Sequence, residues 1–329
     1  MTTAWGAAIF GCDGTTLGTE ERAFFREADP FGFILFARNI DHPDQVRRLT
    51  GDLRDAVGRD APITVDQEGG RVQRLRAPHW HEHLPPLDML ARARDPQRAM
   101  EVRSRLIAAE LRAVGIDSNC APVVDIAGAE THPFLRNRCY GTEAASVAAL
   151  ARAAAQGHLA EGVLPVMKHM PGHGRAAVDS HRDLPTVTAP REDLRRTDFA
   201  AFHALRDLPM AMTAHIVFTA IDDQPATLSA PVIDLIRTEI GFDGLLMTDD
   251  IEMEALSGSV GDRATRSIAA GCDVVLHCNG GPAARADVAA GVGRMTEAAM
   301  RRARAALALR HEGLGDPQDL ARQLSDLIG

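Results

Sequence analysis

The sequence predicts an α/β barrel in which eight parallel strands are each followed by a helix. Three observations carry that expectation. Short apolar, β-rich runs recur along the whole chain, stretches with apolar residues at helical spacing separate them, and the strand–helix pairs number about eight in 329 residues. Continuous apolar strands alternating with amphipathic helices require a parallel sheet covered by helices, and a closed eight-fold barrel needs only about 250 residues. An open doubly wound sheet is the alternative, but no GxGxxG follows the first strand. No linker or low-complexity stretch divides the chain. Residues 1–329 are therefore read as one barrel domain, with C-terminal helices from about 295 to 329 packing on it.

The elements follow in order. WGAAIF (5–10) and GFILF (32–36) supply the first two strands, and a helical stretch near 43–57 leads to PITVD (62–66). SNCAPVVDI (118–126) follows the helix near 96–114, and VLPVMKH (163–169) follows the one near 142–161. A helix near 191–206 precedes MAMTAHIVF (210–218). The next helix, near 230–240, is the best marked: Ser229 can cap it, Pro231 suits its first turn, Val232, Leu235, Ile236 and Ile240 share a face, and Gly241 ends it. GLLMTDD (244–250), a helix near 262–270 and DVVLHCN (273–279) complete the series.

Polar residues collect at one end of these strands. Asp66, Asp125, Lys168, His169, His215, Asp249, Asp250 and Asn279 all follow an apolar run rather than precede it. In an α/β barrel those positions face the βα-loop end, where active sites form. One such residue usually caps the next element; a set spread over at least six strands is harder to explain that way.

Composition narrows the function. Hydrophobic residues make up 45% and charged residues 25%, the balance of a soluble globular protein of enzyme size. The net charge of −9 argues against nucleic acid or an anionic membrane as partner, since both reward clustered positive charge. The Arg-rich stretch RRARAALALR (301–310) reads as a solvated helix face. Five cysteines at irregular spacing form neither a disulfide framework nor a paired zinc motif, and buried thiols are expected. The N-terminus lacks a signal-peptide pattern and no run reaches the ~18 apolar residues of a membrane span, so a cytoplasmic location is expected.

The segment KHMPGHGRAAVDSHRDLP (168–185) is the richest in chemistry. His169 and His173 are four apart, but Pro171 and Gly172 lie between them, so the helical HxxxH zinc geometry is excluded. A loop-built metal site with Asp249 or His215 stays open. Asp179 and His181 can approach within a turn, where the carboxylate would orient the imidazole and raise its pKa for proton transfer. Asp249 suits a nucleophile or base at the barrel mouth, and Asp250 a cap for the following helix. Asp66 heads DQEGGRVQRL (66–75), whose Gly69 and Gly70 permit a tight turn that brings Arg71 and Arg74 near it. A carboxylate and an arginine so placed can grip sugar hydroxyls. RNRCYG (136–141) offers two further loop arginines.

Taken together, VDQEGGRVQR, APVVDI, RNRCYG, KHMPGHG, VDSHRDLP, TAHIVF, GFDGLLMTDDIEM and AAGCDVVLHCN occur in that order. From GFILFARNI (32–40) to about 280 the chain resembles family 3 glycoside hydrolases, specifically the bacterial β-N-acetylglucosaminidases of peptidoglycan recycling. The resemblance implies an eight-fold barrel and a retaining mechanism acting on GlcNAc-1,6-anhydroMurNAc-peptides. Asp249 would be the nucleophile, and His181 the general acid/base with Asp179 as its partner. Asp66, Arg74, Arg138, Lys168 and His169 would bind the N-acetylglucosamine ring. No metal or organic cofactor is implied, and the partner is a small-molecule substrate handled by a monomer or weak homodimer. The sequence departs from the commoner family pattern at Met170, at Arg175 and at Cys139–Tyr140; Arg175 adds positive charge to the loop, which would favour anionic leaving groups or be solvated. Two other reactions fit the same residues: phosphorolysis of the glycosyl-enzyme, and metal-dependent hydrolysis using His169, His173, His181 and Asp249. A non-catalytic sugar-binding relative is disfavoured by the presence of nucleophile, dyad and ring-binding positions together.

Overall fold

The computed structural model describes residues 4–176 and 184–329, the Phe134 side chain excepted. Its centre is a closed barrel of eight parallel strands: β1 (Gly6–Gly11), β2 (Pro30–Leu35), β3 (Ile63–Val65), β4 (Ser118–Asn119), β5 (Leu164–Met170), β6 (Met210–Thr213), β7 (Leu245–Asp250) and β8 (Val274–His277). Each strand pairs with its neighbours in sequence, and β8 closes against β1. Strands β1 to β6 and β8 are buried along their whole length. That is why their sequences read as continuous apolar runs rather than alternating ones.

The helices form the outer layer. Ser229 caps Ala230–Thr238 by accepting from the Val232 amide, with Pro231 in the first turn, as its sequence requires. Two helices that the sequence left unmarked, Thr19–Ala28 and Pro282–Val292, flank β1. The stretch 191–206 is two short helices, Arg191–Arg196 and Asp198–His203, rather than one. The break falls at Thr197, whose hydroxyl lies 2.7 Å from two acceptors, the Asp193 carbonyl and the Asp198 carboxylate. Beyond the last barrel helices, Pro317–Ile328 lies against Pro96–Arg112. Buried Glu161 pins the connection by accepting from the Leu314 and Gly315 amides.

Two expected strands are shorter than their apolar runs. The run 118–126 is a ladder only at Ser118–Asn119, because Pro122 carries no N–H to continue it; pairing resumes at Val123 beside Lys168. The run 210–218 leaves the barrel after Thr213, and Val217–Phe218 instead pairs with Thr186–Val187 in a separate two-stranded sheet.

Register shifts set the geometry of the open end. Along β5, Met167 pairs with Ala211 and Met170 with Thr213, so three steps on one strand match two on the other. Along β7, Met247 pairs with Val274 and Asp250 with Leu276, again three steps against two. An extra residue breaks the alternation of side chains between the two faces of a strand. Neighbouring residues at both places then reach the same side: Lys168 with His169, and Asp249 with Asp250, all line one cavity. At the second bulge the Thr248 hydroxyl takes up the Leu276 amide at 2.9 Å, where a carbonyl of the ladder would otherwise serve.

Candidate active site

At the C-terminal mouth of the barrel lies a cavity of about 550 Å³. Asp66, Arg74, Arg138, Lys168, His169 and Asp249, which come from four different strand ends or loops, all line it. Asp179 and His181 lie outside the described residues.

Its floor is a buried charge cluster. Lys168 Nζ donates to Asp66 Oδ1 at 2.8 Å and to Glu68 Oε1 at 2.6 Å. Arg138 grips Glu68 through two parallel bonds, Nε to Oε2 at 2.9 Å and Nη2 to Oε1 at 2.8 Å. Arg74 reaches Asp66 Oδ2 at 3.2 Å and lies over the Phe36 ring. Burial alone would push both carboxyls up. For Asp66 the Lys168 and Arg74 charges win and hold it well below the usual range. For Glu68 the Arg138 and Lys168 charges win and bring it down to about 2. Lys168 is raised in turn: burial opposes its charge, but the two carboxylates outweigh that. The cluster is thus fully ionised at neutral pH, with three cations against two anions.

Glu68 is the residue that sequence reasoning missed. It sits two positions beyond the strand-end acid in DQEGG, and nothing in its spacing sets it apart from Asp66. One signal was available: Glu68 precedes two glycines, so it has no helix of its own to cap. Gly69, at φ +96°, and Gly70, at φ +60°, turn the chain there. A Cβ on Gly69 would collide with Arg103, which holds the turn by donating to the Glu68 carbonyl at 2.6 Å.

A second carboxylate organises the histidines. Buried Asp125 accepts from His169 Nδ1 at 2.6 Å, and from the backbone amides of His169 at 3.2 Å and His173 at 2.7 Å. A carboxylate can only accept, so Nδ1 of His169 carries the proton and Nε2 is the ring's remaining polar atom. Burial would raise the Asp125 carboxyl, but His169 and the His173 amide bring it to about 2. His173 is pushed down to about 4, first by burial and then by the neighbouring His169. Its Nδ1 has no partner among the described residues, and neither does Arg74 Nε, although both are buried. Both residues line the cavity, so each brings unspent hydrogen-bonding capacity to its wall.

Asp249 faces this floor. Its Oδ1 accepts from the Asp250 amide at 2.8 Å. Burial acts to raise its carboxyl, but His169, His215, that amide and Lys168 together lower it below the usual value. Asp250 differs: burial raises its carboxyl, its Oδ1 takes both the Glu252 and the Cys278 amide, each at 3.2 Å, and its Oδ2 lies 3.4 Å from Asn279 Nδ2. It caps no helix, since the next one, Val260–Ala270, starts ten residues on and is capped by Ser259. Of the two adjacent acids, Asp249 is the one whose carboxyl is lowered and whose second oxygen makes no hydrogen bond among the described residues.

Other expectations change. Arg136 turns to the Gly128 carbonyl at 2.7 Å, so of the two RNRCYG arginines only Arg138 lines the cavity. Arg175 is exposed, and it also pairs with buried Asp198 at 2.8 Å and with the Thr197 hydroxyl at 2.9 Å. His215 lies beneath the cavity wall, bonded to Thr227 and the Asp250 carbonyl. Among the described residues no trio of His, Cys, Asp or Glu side chains is arranged to hold a metal ion. All five cysteines are free and buried. No helix among the described residues is long and apolar enough to cross a membrane.

Comparison with known proteins gives a consistent picture. The family model described as the glycosyl hydrolase family 3 N terminal domain matches residues 18–307. A beta-hexosaminidase of Bordetella avium is 37% identical over 284 residues, covering 83% of this chain and 81% of its own. One from Pseudomonas aeruginosa is 38% identical over 279 residues, covering 83% and 82%. Among solved structures, native NagZ from Neisseria gonorrhoeae superposes with a TM-score of 0.88 at 28% identity, over 99% of this chain and 98% of that one. The same protein has been solved in complex with N-trifluoroacetyl-D-glucosamine, with a TM-score of 0.87 at 28% identity over 99% and 98% of the two chains. A family 3 β-N-acetylglucosaminidase from Paenibacillus sp. str. FPU-7 matches with a TM-score of 0.86 at 32% identity, over 98% and 67%.

Proposed function

Because the chain belongs to glycosyl hydrolase family 3 and is a β-hexosaminidase of that family, we propose that it removes terminal β-linked N-acetylglucosamine from muropeptide-derived disaccharides with retention of configuration. One observation carries the reading. An ionised Asp249 and the five side chains proposed to hold the sugar line the same cavity, whose polar floor is ionised and whose wall keeps unspent donors and acceptors.

In the proposed first step, the free Asp249 oxygen attacks the anomeric carbon while protonated His181 gives its proton to the departing glycosidic oxygen. In the second, neutral His181 takes a proton from water as that water attacks the same carbon and Asp249 leaves. Asp179 would set the protonation of His181. An imidazole in this role avoids a second anion beside a leaving group that carries carboxylates itself. Asp66, Arg74, Arg138, Lys168 and His169 would hold the ring by charge-assisted hydrogen bonds. Because Lys168 and Arg138 are already fixed by Glu68, little side-chain entropy remains to be lost on binding.

The test is to incubate the protein with N-acetylglucosaminyl-β-1,4-anhydromuramyl-peptide and with aryl β-N-acetylglucosaminides, in phosphate and in phosphate-free buffer. The expected product in every case is free N-acetylglucosamine, formed first as the β anomer. Sugar 1-phosphate would replace hydrolysis with phosphorolysis, and an α anomer would remove the retaining mechanism.

A further inference from the structure

The peptide that holds Asp249 is itself held from both sides. Asp250 donates its amide to Asp249 Oδ1 at 2.8 Å and accepts on its carbonyl from His215 Nε2 at 2.9 Å. Since a carbonyl only accepts, Nε2 carries the proton, and burial keeps His215 below its ordinary pKa and therefore neutral. Its Nδ1 must then accept, and the Thr227 hydroxyl lies 2.8 Å away to donate. Thr213 backs Thr227 at 2.7 Å. With the Thr227 proton given to the nearer His215 Nδ1 rather than to the Ala214 carbonyl at 3.2 Å, the donors run one way, Thr213 to Thr227 to His215 to the Asp250 carbonyl, through fully buried side chains. On the other side Arg38 donates to Asn279 Oδ1 at 2.8 Å and to the Cys278 carbonyl at 2.6 Å. Asn279 Nδ2 in turn reaches Asp250 Oδ2 at 3.4 Å, and the Cys278 amide reaches Oδ1 at 3.2 Å.

We propose that Asp250, clamped by the Thr213–Thr227–His215 relay and by the Arg38–Asn279 strap, is a positioning residue that aims its backbone N–H at Asp249 and so presents the other Asp249 oxygen for attack. The proposal rests on Asp249 as the nucleophile. A carboxylate is free to swing about its last torsion, and anchoring one oxygen selects the orientation of the second. Misplacing a reacting atom by about 1 Å costs on the order of 10²-fold in rate. The relay also accounts for the buried histidine and the threonine pair that the proposed proton transfers do not use.

The decisive variants are Thr227→Val, which keeps the shape and removes the donor to Nδ1, and Thr227→Ser, which restores it. With an aryl β-N-acetylglucosaminide, Thr227→Val is expected to lower kcat roughly 10- to 100-fold while KM and the calorimetric affinity for N-acetylglucosamine stay unchanged; Thr227→Ser should recover most of the loss. Asn279→Ala, at an exposed position, should lower kcat in the same direction by less, and it carries the test if the buried variant fails to fold. Wild-type kcat in the folded variants, equal losses in kcat and sugar affinity, or no recovery by serine would overturn the clamp. Asp249→Ala in the same assay separates the two readings: if it still turns over, the nucleophile assignment fails, and if it is dead while the other variants behave as wild type, only the clamp fails.

Discussion

Asp117 and Asp66 stand at opposite ends of the barrel wall, one just before β4 and the other just after β3, and both are surrounded by arginine or lysine. At the first, Oδ1 takes the Ile63 amide at 2.7 Å, and Oδ2 takes Arg54 at 3.0 Å and Arg310 at 2.6 Å. Those arginines arrive from the helix Pro43–Val57 and from the chain beyond Glu297–Leu307, so the cluster ties the outer layer to the strands. At the other end, Asp66, Glu68, Lys168, Arg138 and Arg74 use the same chemistry, but four of the five line a cavity and Arg74 Nε has no partner among the described residues. Ingredients alone do not separate a structural cluster from a binding one. The leftover hydrogen-bonding capacity and the open side do.

The contrast can be broken by substitution. Asp249→Ala, at the open end, should reduce kcat/KM for an aryl glycoside by at least about 10⁴-fold while the thermal midpoint barely moves. His181→Ala should slow substrates with poor leaving groups by about 10²–10⁴-fold and activated aryl glycosides far less; equal losses would count against His181 as the acid. Glu68→Gln should cost roughly 10²-fold in kcat/KM, because Lys168 and Arg138 lose their common anchor.

Glu68 also makes a pH prediction. Its carboxyl is held at about 2 against an ordinary 4.5, so its stabilising contribution is complete above pH 4.5 and disappears as the pH falls from there towards 2. The thermal midpoint of Glu68→Gln should therefore fall less steeply across that window than the wild type's. Asp117→Asn, at the closed end, should have the smallest effect on rate. Arg54 and Arg310 are part-buried and keep Asp60 as a partner, so the loss of stability should stay below the about 3–5 kcal/mol of a broken buried pair, and the folded fraction should turn over at the wild-type rate. A variant that is stable but slow would erase the distinction between the two ends.

Much of this was legible in the sequence. Eight apolar runs mark the eight strands, because strands buried on both faces carry no alternation to confuse the reading. Strand-end position singled out Asp66, Lys168, His169 and Asp249, since in a parallel barrel all such ends gather at one face. What stayed hidden depends on contacts distant in sequence. Glu68 matters through Arg138, seventy residues on, and His169 through Asp125, forty-four residues back. The two bulges are likewise properties of paired strands, so sequence alone could not say that Lys168 and His169 share a face. Arg175 reads as a loop charge until Asp198 is seen beside it.

The most direct test of the nucleophile is to trap the glycosyl-enzyme with a fluorinated N-acetylglucosaminyl fluoride that forms the intermediate faster than it is released. Peptide mapping by mass spectrometry should then find one added sugar on the fragment containing GLLMTDDIEM, bonded to Asp249. A sugar on Asp250 or any other residue, or full turnover with no covalent species at any time, would contradict the account.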